Sequence, residues 1–322
     1  MTHTVPAKYF VTSFYRFFAI EPSQLESLKA QWLSFCNPLQ IKGLFILSPE
    51  GINGTLSSPL SQSIEQLKTE IKNKFGLLEI DFKDSESDIC PFRIMKISLR
   101  EEACTLDIPN HDPNTHNPKY LSPQEWDKML SQPNTVCVDT RNWYENRMGM
   151  FENAVDLKID EFTEFGEAFK KQNISKDKDV MIYCTGGIRC EKAIADLRNQ
   201  GYPNVYQLKL GILNYIKELP NQKFKGECFV FDERVAVDQN LQPTRRYKFC
   251  PHCGQPADIP QSCKRCDSDF KICTDCEKVL SLNELCSKHC AYQFERYPGR
   301  KGPKQDQGYK IEKQKTAERV RS

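Results

Sequence analysis

One stretch decides the fold of the middle of this 322-residue chain: Asp179-Val-Met-Ile-Tyr-Cys-Thr-Gly-Gly-Ile-Arg-Cys190. It begins with an apolar run of strand length, after which Gly186 and Gly187 allow the backbone to turn sharply. A helix is predicted at 191–200, directly after this loop. A strand, a tight loop and a helix in this order place Cys184 at the carboxyl end of a strand, where α/β folds carry their functional sites.

Strands alternate with helical patterns on both sides of this loop. Ser122 and the residues after it form a capping-box pattern, which is typical of a helix start. The other predicted elements are strands at 135–139 and 205–208 and helices from 123, near 161–171 and at 211–218. The alternation predicts an α/β domain at 121–224, whose parallel sheet is covered by helices on both faces.

The N-terminal region, residues 1–103, shows a different pattern. The predicted elements are a strand at 7–14, a helix near 22–35, a hairpin of 42–48 and 54–58, a helix at 61–75, and strands near 78–83 and 92–99. The order βαββαβ predicts an α+β domain with a ferredoxin-like split sandwich. Residues 104–120, rich in proline and asparagine, are predicted to form a linker, and 225–247 a connector.

Cys184 is the predicted reactive group of the chain. Backbone amides of the glycine loop and of the following helix would converge on one point and form an anion nest. The helix dipole and Arg189 add positive potential, which lowers the pKa of a thiol and favours the thiolate. Such a thiolate can accept a sulfane sulfur as a persulfide or attack another electrophile. The predicted supporting residues are Thr185, Gly186, Gly187, Ile188, Arg189, Cys190, Asp139 and Arg141.

Two of these assignments leave alternatives open. Cys190 is either a resolving thiol for a persulfide or disulfide on Cys184, or a buried residue of the first helical turn without chemistry. Asp139 and Arg141 are predicted to form a structural pair that supports the loop, and a direct contact with substrate is the alternative.

Eight of the fifteen cysteines form four close pairs in the predicted region 248–295. Thiolates two residues apart can face one zinc ion, and eight of them make two sites of four. The pairs may combine sequentially, first with second and third with fourth, or in a cross-braced order. A region of this size cannot easily bury a stable core, so the metal would supply folding energy. The predicted zinc ligands are Cys250, Cys253, Cys263, Cys266, Cys273, Cys276, Cys286 and Cys290.

Composition and charge narrow the class of protein further. No run of about 18 apolar residues predicts a membrane span, and the N-terminus lacks the pattern of a signal peptide. A cytoplasmic location is therefore expected, where clustered cysteines more often bind metal than form disulfides. The net charge is +2, but residues 296–322 hold nine Lys or Arg against three acids. This predicted disordered tail either contacts phosphates or is a solvated end.

Residues 121–224 resemble the rhodanese family. The residues that carry the resemblance are Asp139-Thr-Arg141, Glu145, Tyr183-Cys-Thr-Gly-Gly-Ile-Arg-Cys-Glu-Lys192, Tyr206-Gln-Leu208 and Gly211-Ile-Leu213. In rhodaneses the cysteine that opens the loop holds the persulfide, and this position corresponds to Cys184. Related phosphatases have one residue more between the cysteine and the arginine than the four found here, which argues against phosphatase activity.

The order of motifs along about residues 7–290 resembles the bacterial tRNA uridine-34 hydroxylases. The motifs are Pro49-Glu-Gly-Ile-Asn-Gly54, the loop from Cys184 to Lys192, Gly226-Glu-Cys-Phe-Val-Phe-Asp-Glu-Arg-Val235 and then the cysteine pairs. The resemblance implies O2-dependent hydroxylation of the wobble uridine of tRNA to 5-hydroxyuridine, with Cys184 as the persulfide-bearing residue. It implies tRNA as partner and no membrane. No flavin, haem or facial-triad iron motif is present, and the electron donor stays unassigned.

Two alternative functions follow from parts of the chain. The central domain alone would suggest a sulfurtransferase that passes sulfane sulfur from Cys184 to an acceptor. A non-enzymatic adaptor with zinc modules is the other alternative, and a reactive cysteine counts against it. The cysteine-rich region, the basic tail and the aromatic residues Tyr292, Phe294 and Tyr297 are predicted to contact RNA, with a protein partner as the alternative.

Overall fold

The computed structural model describes residues 8–108, 118–279 and 284–302. The chain divides into two compact units, Met1–Asp232 with Val237–Pro243 and Glu233–Ala236 with Thr244–Ser322. The middle of the predicted linker and most of the predicted tail lie outside the described residues. Among the described helices, none has the length and apolar character needed to cross a membrane.

The first unit begins with a five-stranded sheet. Its elements are β1 (Tyr9–Phe17), α1 (Leu25–Cys36), β2 (Lys42–Ser48), β3 (Gly51–Ser58), α2 (Ser61–Phe75), β4 (Phe82–Ser87) and β5 (Met95–Leu99). The strand order is β4-β1-β3-β2-β5, and all neighbours are antiparallel except β2 and β5. Trp32 of α1 and Leu67 of α2 pack with Phe45 of β2 in one core. The predicted βαββαβ order is confirmed, and β5 extends the sheet by a parallel strand.

Two boundaries of this domain differ from the prediction. The strand expected near 78–83 is wrong, because β4 occupies Phe82–Ser87 and Leu78 is exposed. β4 is a polar strand at the edge of the sheet, so its hydropathy does not mark it. The hairpin turn is also shorter than expected, since β3 already begins at Gly51. Gly51 has φ +141°, and a Cβ there would lie 2.2 Å from the Arg16 carbonyl oxygen, so the motif needs glycine.

The second part of the first unit is an α/β domain. Its elements are β6 (Lys119–Leu121), α3 (Pro123–Met129), β7 (Thr135–Asp139), α4 (Trp143–Asn146), β8 (Gly149–Phe151), β9 (Val155–Asp156), α5 (Phe165–Lys170), β10 (Asp179–Tyr183), α6 (Ile188–Asn199), β11 (Val205–Leu208), α7 (Gly211–Glu218), β12 (Phe224–Gly226) and β13 (Cys228–Phe229). Five strands form a parallel sheet in the order β6-β11-β10-β7-β9. The predicted parallel sheet is confirmed.

Strand β10 lies at the centre of this sheet and contributes to both cores. Val180 and Ile182 pack in the cluster that includes residues of α5 and α6, whereas Met181 and Tyr183 pack in the cluster that includes α3 and α7. Helix α6 begins at Ile188, three residues earlier than predicted, because Gly187 (φ +103°) completes the turn at once. The central strand therefore delivers Cys184 directly to the N-terminus of a helix.

The second unit is small and rich in cysteine. Its elements are β15 (Lys248–Phe249), β16 (Pro256–Ala257), β17 (Ile259–Ser262), β18 (Asp269–Ile272), α8 (Thr274–Glu277) and α9 (Lys288–Arg296), preceded along the chain by β14 (Ala236–Val237). β15 pairs with β16 and β17 with β18, each antiparallel. The cysteines themselves form much of the core, together with Phe270 and Ile272.

Candidate active site

The sulfur of Cys184 lies at the carboxyl end of β10, where the chain turns into α6. Its Sγ accepts a hydrogen bond from the backbone N–H of Gly187 at 3.0 Å, and the residue is 1% exposed. Thr185 is buried, whereas Gly186 and Ile188 are half-buried. Helix α7 is hydrogen-bonded to the loop, because the backbone N–H groups of Ile212 and Leu213 donate to the carbonyl oxygens of Cys184 and Thr185.

The environment of Cys184 favours its thiolate. Burial acts to raise the pKa of this thiol, because a charge loses solvation in the interior. The hydrogen bond from the Cys190 thiol, the charge of Arg189 and the backbone N–H groups of Gly187 and Arg189 act more strongly in the other direction. Together they lower the pKa to about 5, so the sulfur is an anion at neutral pH.

Arg189 is held in place by Glu145 of α4. Its Nη1 and Nη2 donate to Oε1 and Oε2 of the carboxylate at 2.5 and 2.8 Å, and Glu145 is fully buried. Thr185 donates to the same carboxylate at 3.3 Å, and the Phe231 ring lies 5.7 Å from the guanidinium carbon. The bidentate pair fixes the guanidinium at the loop. Glu145 belongs to the sequence motif quoted above, but its role in holding Arg189 is not predicted from the sequence.

Asp139 and Arg141 form a fully buried ion pair next to this loop. The Arg141 Nε and Nη2 groups donate to Asp139 Oδ1 and Oδ2 at 2.9 and 2.7 Å, and Nη2 also donates to the Gly149 carbonyl oxygen. Thr140 between them donates to the Tyr183 carbonyl oxygen at 2.9 Å. The pair thus ties β7 to β8, while Thr140 ties β7 to the residue before Cys184.

Cys190 lies in the first turn of α6 and is fully buried. Burial and the neighbouring Cys184 sulfur raise the pKa of Cys190 well above its ordinary value. Its Sγ is 3.8 Å from Thr140 Oγ1. A thiol that keeps its proton can donate a hydrogen bond to the Cys184 thiolate, which is the contact that lowers the pKa of Cys184.

The eight cysteines of the second unit form two groups that fit a metal. The groups are Cys250, Cys253, Cys273 and Cys276, and Cys263, Cys266, Cys286 and Cys290, with the sulfurs of each group within 4.8 Å of one another. Thiolates at about 2.3 Å around one zinc lie about 3.8 Å apart. The Cys253–Cys273 and Cys266–Cys290 sulfur distances, 3.5 and 3.8 Å, agree with that geometry. The first pair combines with the third and the second with the fourth, which is the cross-braced order.

Comparisons with known proteins agree along most of the chain. Residues 9–103 match the family model of the UPF0176 acylphosphatase like domain, 122–218 the rhodanese-like domain and 225–291 the rhodanase C-terminal region. A tRNA uridine(34) hydroxylase from Bdellovibrio bacteriovorus is 48% identical over 308 residues, which cover 95% of this chain and 87% of that protein. The chain belongs to the tRNA uridine(34) hydroxylase family.

Another relative extends this comparison to a more distant member of the tRNA uridine(34) hydroxylase family. The Wolbachia pipientis protein of that name is 36% identical over 269 residues, covering 83% of this chain and 96% of its own. Among solved structures, a rhodanese-like domain from Anabaena sp. is 18% identical, covers 34% of this chain and 80% of its own, and has a TM-score of 0.29.

In this family member the N-terminal domain also contributes side chains to the Cys184 loop. The Tyr15 hydroxyl of β1 donates to Glu191 Oε1 at 2.9 Å, and a Cβ on Gly187 would lie 2.8 Å from the Tyr15 oxygen. The Lys83 side chain of β4 passes Gly186, at 3.4 Å between Cε and the position of a Cβ there. Tyr15 and Lys83 were not predicted as site residues, because no local sequence pattern indicates that a strand residue of one domain lies beside a loop of another.

Proposed function

We propose that this protein hydroxylates uridine 34 of tRNA to 5-hydroxyuridine, with O2 as the oxidant and Cys184 as the reactive group. The observation that carries the proposal is the Cys184 sulfur, which accepts the Gly187 N–H at 3.0 Å in a chain that is 48% identical to a protein of that name. We place the reaction in the cytoplasm, in keeping with a tRNA substrate.

The first chemical step that the site supports is sulfur transfer to Cys184. The thiolate attacks the outer sulfur of a persulfide donor R–S–SH, which gives Cys184–S–SH and releases R–S⁻. The Gly187 N–H and the Arg189 charge stabilise the anion before the transfer. Hydroxylation at the uracil ring then consumes O2, two electrons and two protons, and forms one water. A separate reductant supplies the electrons.

Recognition of tRNA needs contacts to phosphates and to unpaired bases. The wobble base lies in a single-stranded loop, and such bases are bound by stacking on aromatic rings and arginine planes. Tyr292 and Tyr297 are 53% and 43% exposed, and the Arg296 guanidinium lies 5.9 Å from each ring. Phe294, the third aromatic residue predicted to contact RNA, is half-buried and packs against the cysteine core.

The two cysteine groups are proposed to hold one zinc ion each. Four thiolates form a closed tetrahedral site, which leaves no open position for substrate. The ions would therefore hold the fold of the second unit and take no part in the chemistry. The hairpins of that unit are two to four residues per strand, too short to be stable without such support.

A sulfurtransferase remains the second candidate, because residues 122–218 match the rhodanese-like domain and the proposed first step is common to both functions. A non-enzymatic adaptor would not need an ionised, buried thiol. The hydroxylase and the sulfurtransferase differ in their final product, which is a hydroxylated nucleoside for the hydroxylase and a sulfur-transfer product for the sulfurtransferase.

The test is nucleoside analysis by mass spectrometry in cells that lack the gene, complemented with the wild type or with Cys184→Ser. We expect 5-hydroxyuridine to disappear in the deletion, to return with the wild type and to stay absent with the variant. Unchanged 5-hydroxyuridine in the deletion would remove the hydroxylase proposal. Activity in the Cys184→Ser strain would remove Cys184 as the reactive group.

A further inference from the structure

Lys83 of β4 carries a buried ammonium group next to the Cys184 loop. Its Nζ has no hydrogen-bond partner among the described residues and lies 4.8 Å from the centre of the Tyr15 ring. The distance from Nζ to the position that a Cβ on Gly186 would occupy is 4.0 Å. A buried ammonium with three unused donors lowers stability unless an anion or another acceptor meets it. An anion at the loop would therefore stabilise the buried ammonium of Lys83.

Several charged and titratable groups surround this point. The two buried carboxylates among them, Glu145 and Glu191, are already engaged, whereas Asp81 is exposed to solvent. The surrounding groups are Arg189, Cys190 and Glu191 of α6, Glu145 of α4, Tyr15 of β1, Tyr120 of β6, Asp81 before β4 and Cys104 between the domains. Glu145 pairs with Arg189. Glu191 accepts hydrogen bonds from Tyr15 and Tyr120, both at 2.9 Å, and from Gln207 at 3.2 Å. The Cys184 sulfur is the remaining anion that the loop presents.

We propose that Lys83 is the counter-ion of the anionic sulfur carried by Cys184, so that the N-terminal domain completes the active site. Lys83 pairs first with the thiolate and, after sulfur transfer, with the outer sulfur of the persulfide. The second part rests on the proposed function, whereas the pairing with the thiolate does not.

The titration behaviour of the two groups is consistent with this pairing. Burial lowers the pKa of Lys83 to about 8, and the negative charge of Cys184 is the strongest influence in the opposite direction. The pKa of Cys184 is about 5. Ammonium and thiolate therefore coexist between about pH 5 and pH 8. Below this window the sulfur gains a proton, and above it Lys83 loses one.

The arrangement gives the N-terminal domain a direct role at the Cys184 loop. Lys83 and Tyr15 lie on neighbouring strands, β4 and β1, where Ser13 is the register partner of Lys83. The Lys83 side chain lies against Gly186 and the Tyr15 side chain against Gly187. A larger residue at either glycine would therefore press against one of them or collide with it. The N-terminal domain thus places the Lys83 ammonium beside the loop that carries Cys184.

The test is the pH titration of the Cys184 thiolate in the full-length protein. It is followed by the ultraviolet absorbance of the thiolate, as the difference between each protein and the same protein carrying Cys184→Ser. The variants are Lys83→Met, Lys83→Gln and Lys83→Arg, with Lys96→Met on the exposed side of β5 as the matched control. Because Lys83 Nζ has no hydrogen-bond partner, its removal leaves no acceptor unpaired and the variants are expected to fold.

We expect Lys83→Met and Lys83→Gln to raise the midpoint of the Cys184 titration by about one pH unit, as loss of a nearby opposite charge does. Lys83→Arg and Lys96→Met should keep the midpoint of the wild type. An unchanged midpoint in a folded Lys83→Gln protein would overturn the proposal, as would an equal shift in Lys96→Met. The titration needs no tRNA, so its result is independent of whether 5-hydroxyuridine is the product.

Discussion

The ammonium of Lys192 lies 2.8 Å from the carboxylate of Glu50, and it also pairs with Glu102. Lys192 ends the motif that begins at Cys184, and Glu50 belongs to the hairpin turn of the N-terminal domain. The Glu50 carboxylate also accepts a hydrogen bond from the Ala103 N–H at 2.6 Å. The two most distinctive motifs of the sequence are therefore joined directly. Since Lys192 is 1% exposed on its side chain, this ion pair is part of the interior.

Lys192→Met should destabilise the protein by about 2–3 kcal/mol, because it leaves two partly buried carboxylates without their cation. The measurement is urea unfolding of the first unit in the intact chain. Lys170→Met is the matched control, since Lys170 makes an exposed ion pair with Glu167 at 2.7 Å and should change stability little. An equal effect of both substitutions would contradict a structural role for the Lys192–Glu50 contact.

Cys190 is expected to act as a hydrogen-bond donor to Cys184. Cys190→Ala removes the donor, so the pKa of Cys184 should rise by about one unit, whereas Cys190→Ser keeps a donor and should shift it less. The thiolate absorbance titration measures both. A resolving role predicts something else, a Cys184–Cys190 disulfide after oxidation, which mass spectrometry of unreduced peptides would detect.

The cross-braced cysteine groups make a prediction about metal content. The double variant Cys250→Ser/Cys273→Ser removes two ligands from one group and should lose one zinc per chain. The double variant Cys250→Ser/Cys263→Ser removes one ligand from each group and should lose both. Metal analysis of the purified proteins, beside a wild type with about two zinc per chain, gives the answer. Sequential pairing would reverse the two results.

The basic end of the chain is expected to strengthen tRNA binding through phosphate contacts. Truncation after Gly302 removes six Lys or Arg and three acids, yet keeps α9 and its aromatic residues. Affinity for tRNA should fall and its dependence on salt should become shallower, because fewer counterions are released. Binding measured at several salt concentrations tests this, and identical slopes for both proteins would show that the tail is only a solvated end.

The sequence predicted well what depends on neighbouring residues. The loop at Cys184 follows from an apolar strand, two glycines and a helix, all within about twenty residues, and the parallel sheet follows from the alternation of elements around it. The edge strand β4 was not predicted at Phe82–Ser87, because five of its six residues are polar or charged and show no apolar period. The contacts of Tyr15, Lys83 and Glu50 with α6 and its loop depend on how two domains pack, which no local pattern encodes.

The order of the metal groups could not be read from the spacing, because the first three cysteine pairs have the same two-residue separation. The hairpin of β17 and β18 supplies the reason for the cross-braced order. Its strands are antiparallel, so Cys263 after β17 and Cys273 after β18 lie at opposite ends. Cys273 is thereby carried back to the beginning of β17, beside the turn that holds Cys250 and Cys253.

The chemistry of this site depends on Cys184 being a thiolate at neutral pH. The most direct measurement is the ultraviolet thiolate titration of the wild type minus Cys184→Ser. The predicted result is a midpoint near pH 5, with the sulfur ionised above it and protonated below it. A midpoint near 9, the ordinary value for cysteine, would show that the loop does not stabilise the anion of Cys184.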